Sequence, residues 1–260
     1  MNESEQYHLA VAPGDVAETV LLPGDPGRVE TITDSWTASR RVAAHREYIT
    51  ETGRVEETPV SVTSTGIGSP SAAIAVEELA AVGAETLIRV GSCGALQDSI
   101  EPGDLVIATG ALRREGTSAE YVEPAYPAVA DHEVVTALVT AAERLENPYH
   151  CGILASTDSF TVGQGRAGHG GYRPDPSFVE DLAERNVLAA EMEASAILTL
   201  SSLYGLRAGA VCTVFADRTG ETFEVTGEKR AAETASLAVH LLASMDERPG
   251  HWSADDTLEG

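Results

Sequence analysis

Residues 71–94 read "SAAIAVEELAAVGAETLIRVGSCG" and set a helix pattern directly before a buried strand. In 71–82, apolar residues recur at helical spacing among alanine and glutamate. The run Thr86-Leu87-Ile88-Arg89-Val90 is short and mostly apolar, the mark of a strand covered on both faces. Similar runs stand at 59–63, 104–108, 151–155, 187–190 and 210–214, and another ends at Leu22. Helical patterns occupy 132–145, 176–185, 194–203 and 228–245. Strands alternating with helices predict an α/β fold: a central, largely parallel or mixed sheet flanked by helices.

Functional groups in such sheets gather beyond the carboxyl ends of strands. Arg89 lies inside an otherwise apolar strand, with Ser92 just beyond it. A buried guanidinium without a partner is costly, so Arg89 requires an anion, either an internal carboxylate or a bound oxyanion. The loop "LLPGDPGRVE" (21–30) carries Arg28 in a turn fixed by two prolines and two glycines, with Asp25 capping its N–H groups. Arg46 stands in "AHREY" (44–48). Arginine forks, glycine-turn N–H groups and a serine hydroxyl are what a tetrahedral oxyanion such as phosphate requires. "TGIGSPSA" (65–72) resembles half of a dinucleotide fingerprint, but Ser71 replaces the last glycine; a tight turn closing a helix onto a sheet explains it equally well. In "AEMEA" (190–194), an extended chain puts Glu191 and Glu193 on one face and Met192 on the other. Two carboxylates there suit either a helix N-terminus or the hydroxyls of a sugar.

Of the 260 residues, 41 are acidic and 17 basic, and Lys229 is the single lysine, giving a formal charge of -24. Such a surface repels nucleic acid and anionic membranes. Near-absence of lysine with 5% aromatic residues reads as adaptation to high salt. Cys93, Cys151 and Cys212 have no paired spacing and an odd count, which predicts reduced, buried thiols in a cytoplasmic protein. The polar, acidic start is unlike a signal peptide. One domain over 1–246 is expected, followed by an acidic, fraying tail at 247–260. The polar stretch 113–131 and the Gly-rich 162–176 are long connections of the kind that bind or cover a ligand.

The strings "LLPGDPGR", "AHREY", "STGIGSPSAAIAVEELAAVG", "RVGSCGALQ", "DSFTVGQGR", "EMEASAILTL" and "LRAGAVCTVFADRT", in this order across 8–245, resemble the nucleoside phosphorylase-I family on its uridine branch. The resemblance implies a three-layer fold and the phosphorolysis of uridine to uracil and ribose 1-phosphate. Inorganic phosphate is the co-substrate and no cofactor is required. It implies phosphate contacts from Gly24, Arg28, Arg46, Arg89 and Ser92. Ribose contacts come from His8, Glu191, Met192 and Glu193, and base contacts from Phe160, Gln164, Arg166 and Arg218. Arg28, Arg89, Arg166 and Glu193 carry the catalysis, and Glu47, Ile67 and Ser71 hold a potassium ion. His8 and Arg46 cross to a neighbouring subunit of a hexamer, a trimer of dimers with shared sites. The purine branch places an aspartate two residues after its Cys-Thr-Val strand; here Phe215 and Ala216 follow Val214, and Asp217 comes one position later. The rivals are a purine phosphorylase or nucleosidase of the same fold, and a non-catalytic nucleoside-binding protein. Nucleosidases of this fold lack the phosphate arginines.

Overall fold

The computed structural model describes residues 5–220 and 222–246, so the expected tail at 247–260 lies outside the described residues. In chain order come β1 (Thr19–Pro23), α1 (Arg28–Thr33), β2 (Ala38–His45), β3 (Tyr48–Val55), β4 (Thr58–Thr63), α2 (Ser69–Ala81), β5 (Thr86–Ala95), β6 (Leu105–Arg114), β7 (Ala128–Val129), α3 (His132–Arg144), β8 (Tyr149–Thr157), α4 (Phe178–Ala183), β9 (Val187–Glu191), α5 (Ala194–Leu203), β10 (Arg207–Asp217), β11 (Thr222–Phe223) and α6 (Glu228–Asp246). The strands form one mixed sheet in the order β11-β10-β6-β8-β9-β5-β1-β4-β3-β2, and β10 also pairs with β5, so β10, β6, β8, β9 and β5 close into a ring.

Strand alternation sorts the core into the layers that the sequence predicts. Leu21 of β1 and Ile88 and Val90 of β5 pack with α1, α3 and α6. Their neighbours Val20, Leu22 and Leu87 point the other way, into α2 and α5. Among the described residues no helix is long and apolar enough to cross a membrane.

The β2–β3 hairpin escapes the sequence reading because β2 is largely exposed and offers no apolar run. The stretch 113–131 is not all loop: β6 runs on to Arg114, and β7 pairs back onto it. Cys151 is exposed, contrary to the expectation for the three thiols. Before Ile153, β8 has β6 beside it but not yet β9, which leaves that half of the strand at the rim.

Candidate active site

The site lies where β5 changes partners. On one edge, β5 pairs with β1 only as far as Pro23↔Val90, and with β9 only from Gly94↔Ala190. Residues Gly91 to Cys93 therefore face a split in the sheet, the kind of switch point at which α/β sheets bind ligands. A cavity of about 320 Å³ opens there. Gly24, Arg28, Arg89 and Ser92 line one part, Glu191, Met192 and Glu193 another, and Phe160, Gln164 and Arg166 a third. Apart from Arg218, the phosphate, sugar and base groups expected of one chain thus share one cavity.

Arg89 is the hinge of the arrangement. Its Nε donates to Glu191 Oε2 at 2.8 Å and its Nη2 approaches Glu193 Oε2 at 2.6 Å. Both sequence alternatives are thereby met in part, for Arg89 has internal carboxylates yet its buried Nη1 has no partner. Gly91 makes the fold-back possible, since a Cβ there would lie 2.6 Å from Nη2. Burial opposes the guanidinium's charge, but Glu193 and Glu191 outweigh it and raise its pKa.

The two glutamates do different work. Glu191 Oε2 accepts Arg89 and the N–H groups of Glu193 (2.8 Å) and Ala194 (2.9 Å) at the start of α5, and Oε1 accepts the Ser156 hydroxyl. Three donors converge on Oε2 and one holds Oε1. Glu191 is thus largely engaged by its own chain, while it also lines the cavity beside Glu193. Glu193 accepts only Gly68 N at 2.5 Å on Oε1 and Arg89 on Oε2, leaving a lone pair on each oxygen at the cavity wall. Burial raises its pKa, against the pull of Arg89. Met192 O is held by Ser69 Oγ at 2.8 Å.

Arg28, at the start of α1, is nearly buried; Glu228 Oε1 takes its Nη2 at 2.8 Å, and Val90 O takes Nη1 at 3.4 Å. Asp25 caps Gly27 N at 2.8 Å, the turn role read from the sequence. On the base side, Arg166 lies 4.0 Å over the Phe160 ring and donates to Phe160 O at 2.7 Å and to Gln164 Oε1 at 2.5 Å. Arg218 donates to Gln164 O at 2.9 Å and so braces the same loop from outside the cavity lining. Burial, and then the charge of Arg218, lower the Arg166 pKa to about 10.

His8 and Arg46 do not line this cavity. Arg46 sits with φ +57° in the two-residue turn of the β2–β3 hairpin, its guanidinium 5.6 Å from the Tyr7 ring. His8 Nδ1 meets Glu78 Oε1 at 2.6 Å, and His8 O accepts His45 Nδ1 at 2.9 Å, so the two expected crossing residues share one patch. Ser71 Oγ donates to Glu47 Oε1 at 3.0 Å, and Ile67 is exposed at the cavity rim. A carboxylate and a hydroxyl oxygen side by side are donors suited to a hard cation. Among the described residues no cluster of three His, Cys, Asp or Glu side chains forms a metal site. Asp217 does not line the cavity; its Oδ1 is tied to Thr219 N at 2.8 Å and Gly220 N at 3.0 Å.

The sequence reading missed Gly91, Ser156, Phe215 and Phe223. Phe215 and Phe223 line the cavity, with Arg28 5.8 Å from the Phe215 ring. Gly91 carried a signal, a glycine inside an arginine-bearing strand marking a close approach.

Known proteins share this chain's sequence and fold. The uridine phosphorylase of Thermococcus kodakarensis is 58% identical over 94% of this chain and 89% of its own length. A guanosine phosphorylase of Halorubrum lacusprofundi is 47% identical over 81% of this chain and 83% of its own. The crystal structure of uridine phosphorylase from Vibrio fischeri superposes with a TM-score of 0.83 at 33% identity, over 93% of this chain and 99% of that one. The model of the Phosphorylase superfamily matches residues 18–243, from before β1 into α6, and to that family the chain belongs.

Proposed function

We propose that the protein is a uridine phosphorylase of pyrimidine salvage, a cytoplasmic enzyme that converts uridine and phosphate to uracil and ribose 1-phosphate. The observation that carries the reading is that Arg28, Arg89 and Ser92 line the same cavity as Gln164 and Arg166, while Nη1 of Arg89 is buried without a hydrogen-bond partner. A dianion there would meet a guanidinium nitrogen that is otherwise unsatisfied. Phosphate attacks the anomeric carbon as the base leaves, and the transition state has oxocarbenium character. Glu193 holds the ribose hydroxyls and favours the positive charge developing on the sugar. Gln164 offers a donor and an acceptor to the imide edge of uracil, and Arg166 stabilises the charge on the departing base.

His8 and Arg46 complete the site of a second copy in a hexamer. A potassium ion at Glu47, Ile67 and Ser71 belongs to the same proposal, and specific stabilisation by potassium over sodium tests it. The guanosine phosphorylase relative favours a second reading, cleavage of purine nucleosides. Against it, Asp217 Oδ1 is held in a turn by Thr219 and Gly220, and the residue does not line the cavity. The test is uracil release from uridine with and without phosphate. Strict phosphate dependence that Arg89→Ala abolishes is expected, and phosphate-independent cleavage contradicts the reading.

A further inference from the structure

We propose that Ser156 is a positioning residue for Arg89, acting through Glu191; the proposal rests on the phosphate site proposed above. Ser156 is fully buried near the end of β8, in register with Glu191 of β9. Its hydroxyl donates to Glu191 Oε1 and accepts Ser195 N at 2.8 Å. With its one proton on a carboxylate and a lone pair on a backbone N–H, that hydroxyl has a single orientation. Glu191 is thereby fixed at both oxygens, at Oε1 by Ser156 and at Oε2 by the first turn of α5.

The fixed carboxylate in turn fixes Arg89 at Nε, 2.8 Å away. With Nη2 on Glu193, one nitrogen of the guanidinium, Nη1, is left without a partner of its own chain, in a residue that lines the cavity. Without the Ser156 hydroxyl, Glu191 Oε1 is a buried acceptor lacking a donor, a state that drives it to seek one. The Ser195 N–H loses its acceptor at the same time, so the carboxylate is free to turn between that N–H and the guanidinium, and Arg89 loses the fixed anchor that holds it toward the phosphate. The two glutamates of "EME" then divide the substrates, Glu193 serving the sugar and Glu191 the phosphate arginine.

Ser195 supplies the control. It is equally buried, and its hydroxyl donates to Glu115 Oε1 at 3.0 Å, one link further from Arg89. Ser195→Ala keeps the backbone N–H that holds Ser156.

The experiment titrates inorganic phosphate calorimetrically into wild type, Ser156→Ala, Glu191→Gln and Ser195→Ala. Each protein is also assayed on uridine and 2′-deoxyuridine. Loss of part of one charge-assisted bond predicts that Ser156→Ala binds phosphate roughly tenfold more weakly. Its KM for uridine should stay within about twofold of wild type, the scale of an indirect contact. Glu191→Gln should lose phosphate in the same way, with the preference for uridine over 2′-deoxyuridine unchanged in both. Ser195→Ala should bind phosphate like wild type even where its melting temperature falls. Equal phosphate loss in Ser195→Ala and Ser156→Ala would overturn the proposal, and so would a collapse of uridine preference in Ser156→Ala or Glu191→Gln. If wild type binds phosphate but leaves uridine intact, the proposed reaction fails while the titration still decides the role of Ser156. If wild type binds no phosphate, both fall.

Discussion

Gly91→Ala adds one methyl group at the point where Arg89 folds back over its own strand. The new Cβ would lie 2.6 Å from Arg89 Nη2, 2.7 Å from its Cζ and 2.9 Å from Cys212 Sγ. Comfortable contact needs roughly 3.5 Å, so the guanidinium must retreat by about 1 Å. Cys212 is the register partner of Gly91 on β10, so the strand cannot shift that way to make room. Arg89 cannot retreat and keep both Nη2 on Glu193 at 2.6 Å and Nε on Glu191 at 2.8 Å. Loss of one charge-assisted bond costs about 1.5–3 kcal/mol, or roughly 10- to 150-fold in kcat/KM for phosphate. Overpacking costs a further 1–3 kcal/mol or so of stability, which a folded domain tolerates. The assay is kcat/KM with phosphate varied, alongside a thermal melt to show that the variant is folded. A folded Gly91→Ala with the phosphate kcat/KM of wild type would refute the placement of Arg89.

Arg166→Ala should lower turnover and raise KM for uridine together, because Arg166 meets the base in the ground state and more strongly as charge develops; steady-state kinetics with uridine varied checks this. Burial raises the Glu193 pKa, and a protonated Glu193 grips the ribose poorly, so kcat/KM for uridine should fall with decreasing pH from a limb above the ordinary carboxylate value of 4.5. Arg89 pulls that pKa down, so in Arg89→Ala the limb moves to higher pH, as a pH–rate profile will show. The same shift makes the folded state bind the Glu193 proton more readily than the unfolded chain, so this group's contribution to stability is lost as pH rises through its folded pKa. A charge of -24 repels itself in dilute buffer, and at molar salt the Debye length of about 3 Å screens that repulsion, so melting temperature and activity should rise with potassium chloride. Maximal stability in dilute buffer would contradict the salt-adapted reading.

The strands and helices that build the core were legible because their side chains are buried at regular spacing, as in 71–94. The β2–β3 hairpin was not, because its outer strand is solvated and its turn uses Arg46 in a left-handed conformation that no local pattern announces. Among the site residues, Arg89 declared itself as a charge in an apolar strand. The different duties of Glu191 and Glu193 did not, since alternation gives them one face and says nothing of the donors waiting there. The α5 N–H groups are local, but the other donors, Ser156 and Gly68, are distant in sequence and meet the pair only when the sheet is assembled. Closure of the ring through β5 and β10, and the split that opens the cavity, are likewise properties of register rather than of any segment.

The central claim is that this cavity takes phosphate and a pyrimidine nucleoside. Its most direct test is the phosphate-dependent kcat/KM of the wild-type enzyme for uridine, measured beside those for guanosine and inosine. On the proposed reading Gln164 and Arg166 meet the imide edge of uracil, which a purine ring does not present in the same place, and a site built on such bonds rejects a mismatched base by orders of magnitude. The expected ratio strongly favours uridine. A ratio favouring guanosine or inosine would contradict it and would return Asp217 to the base.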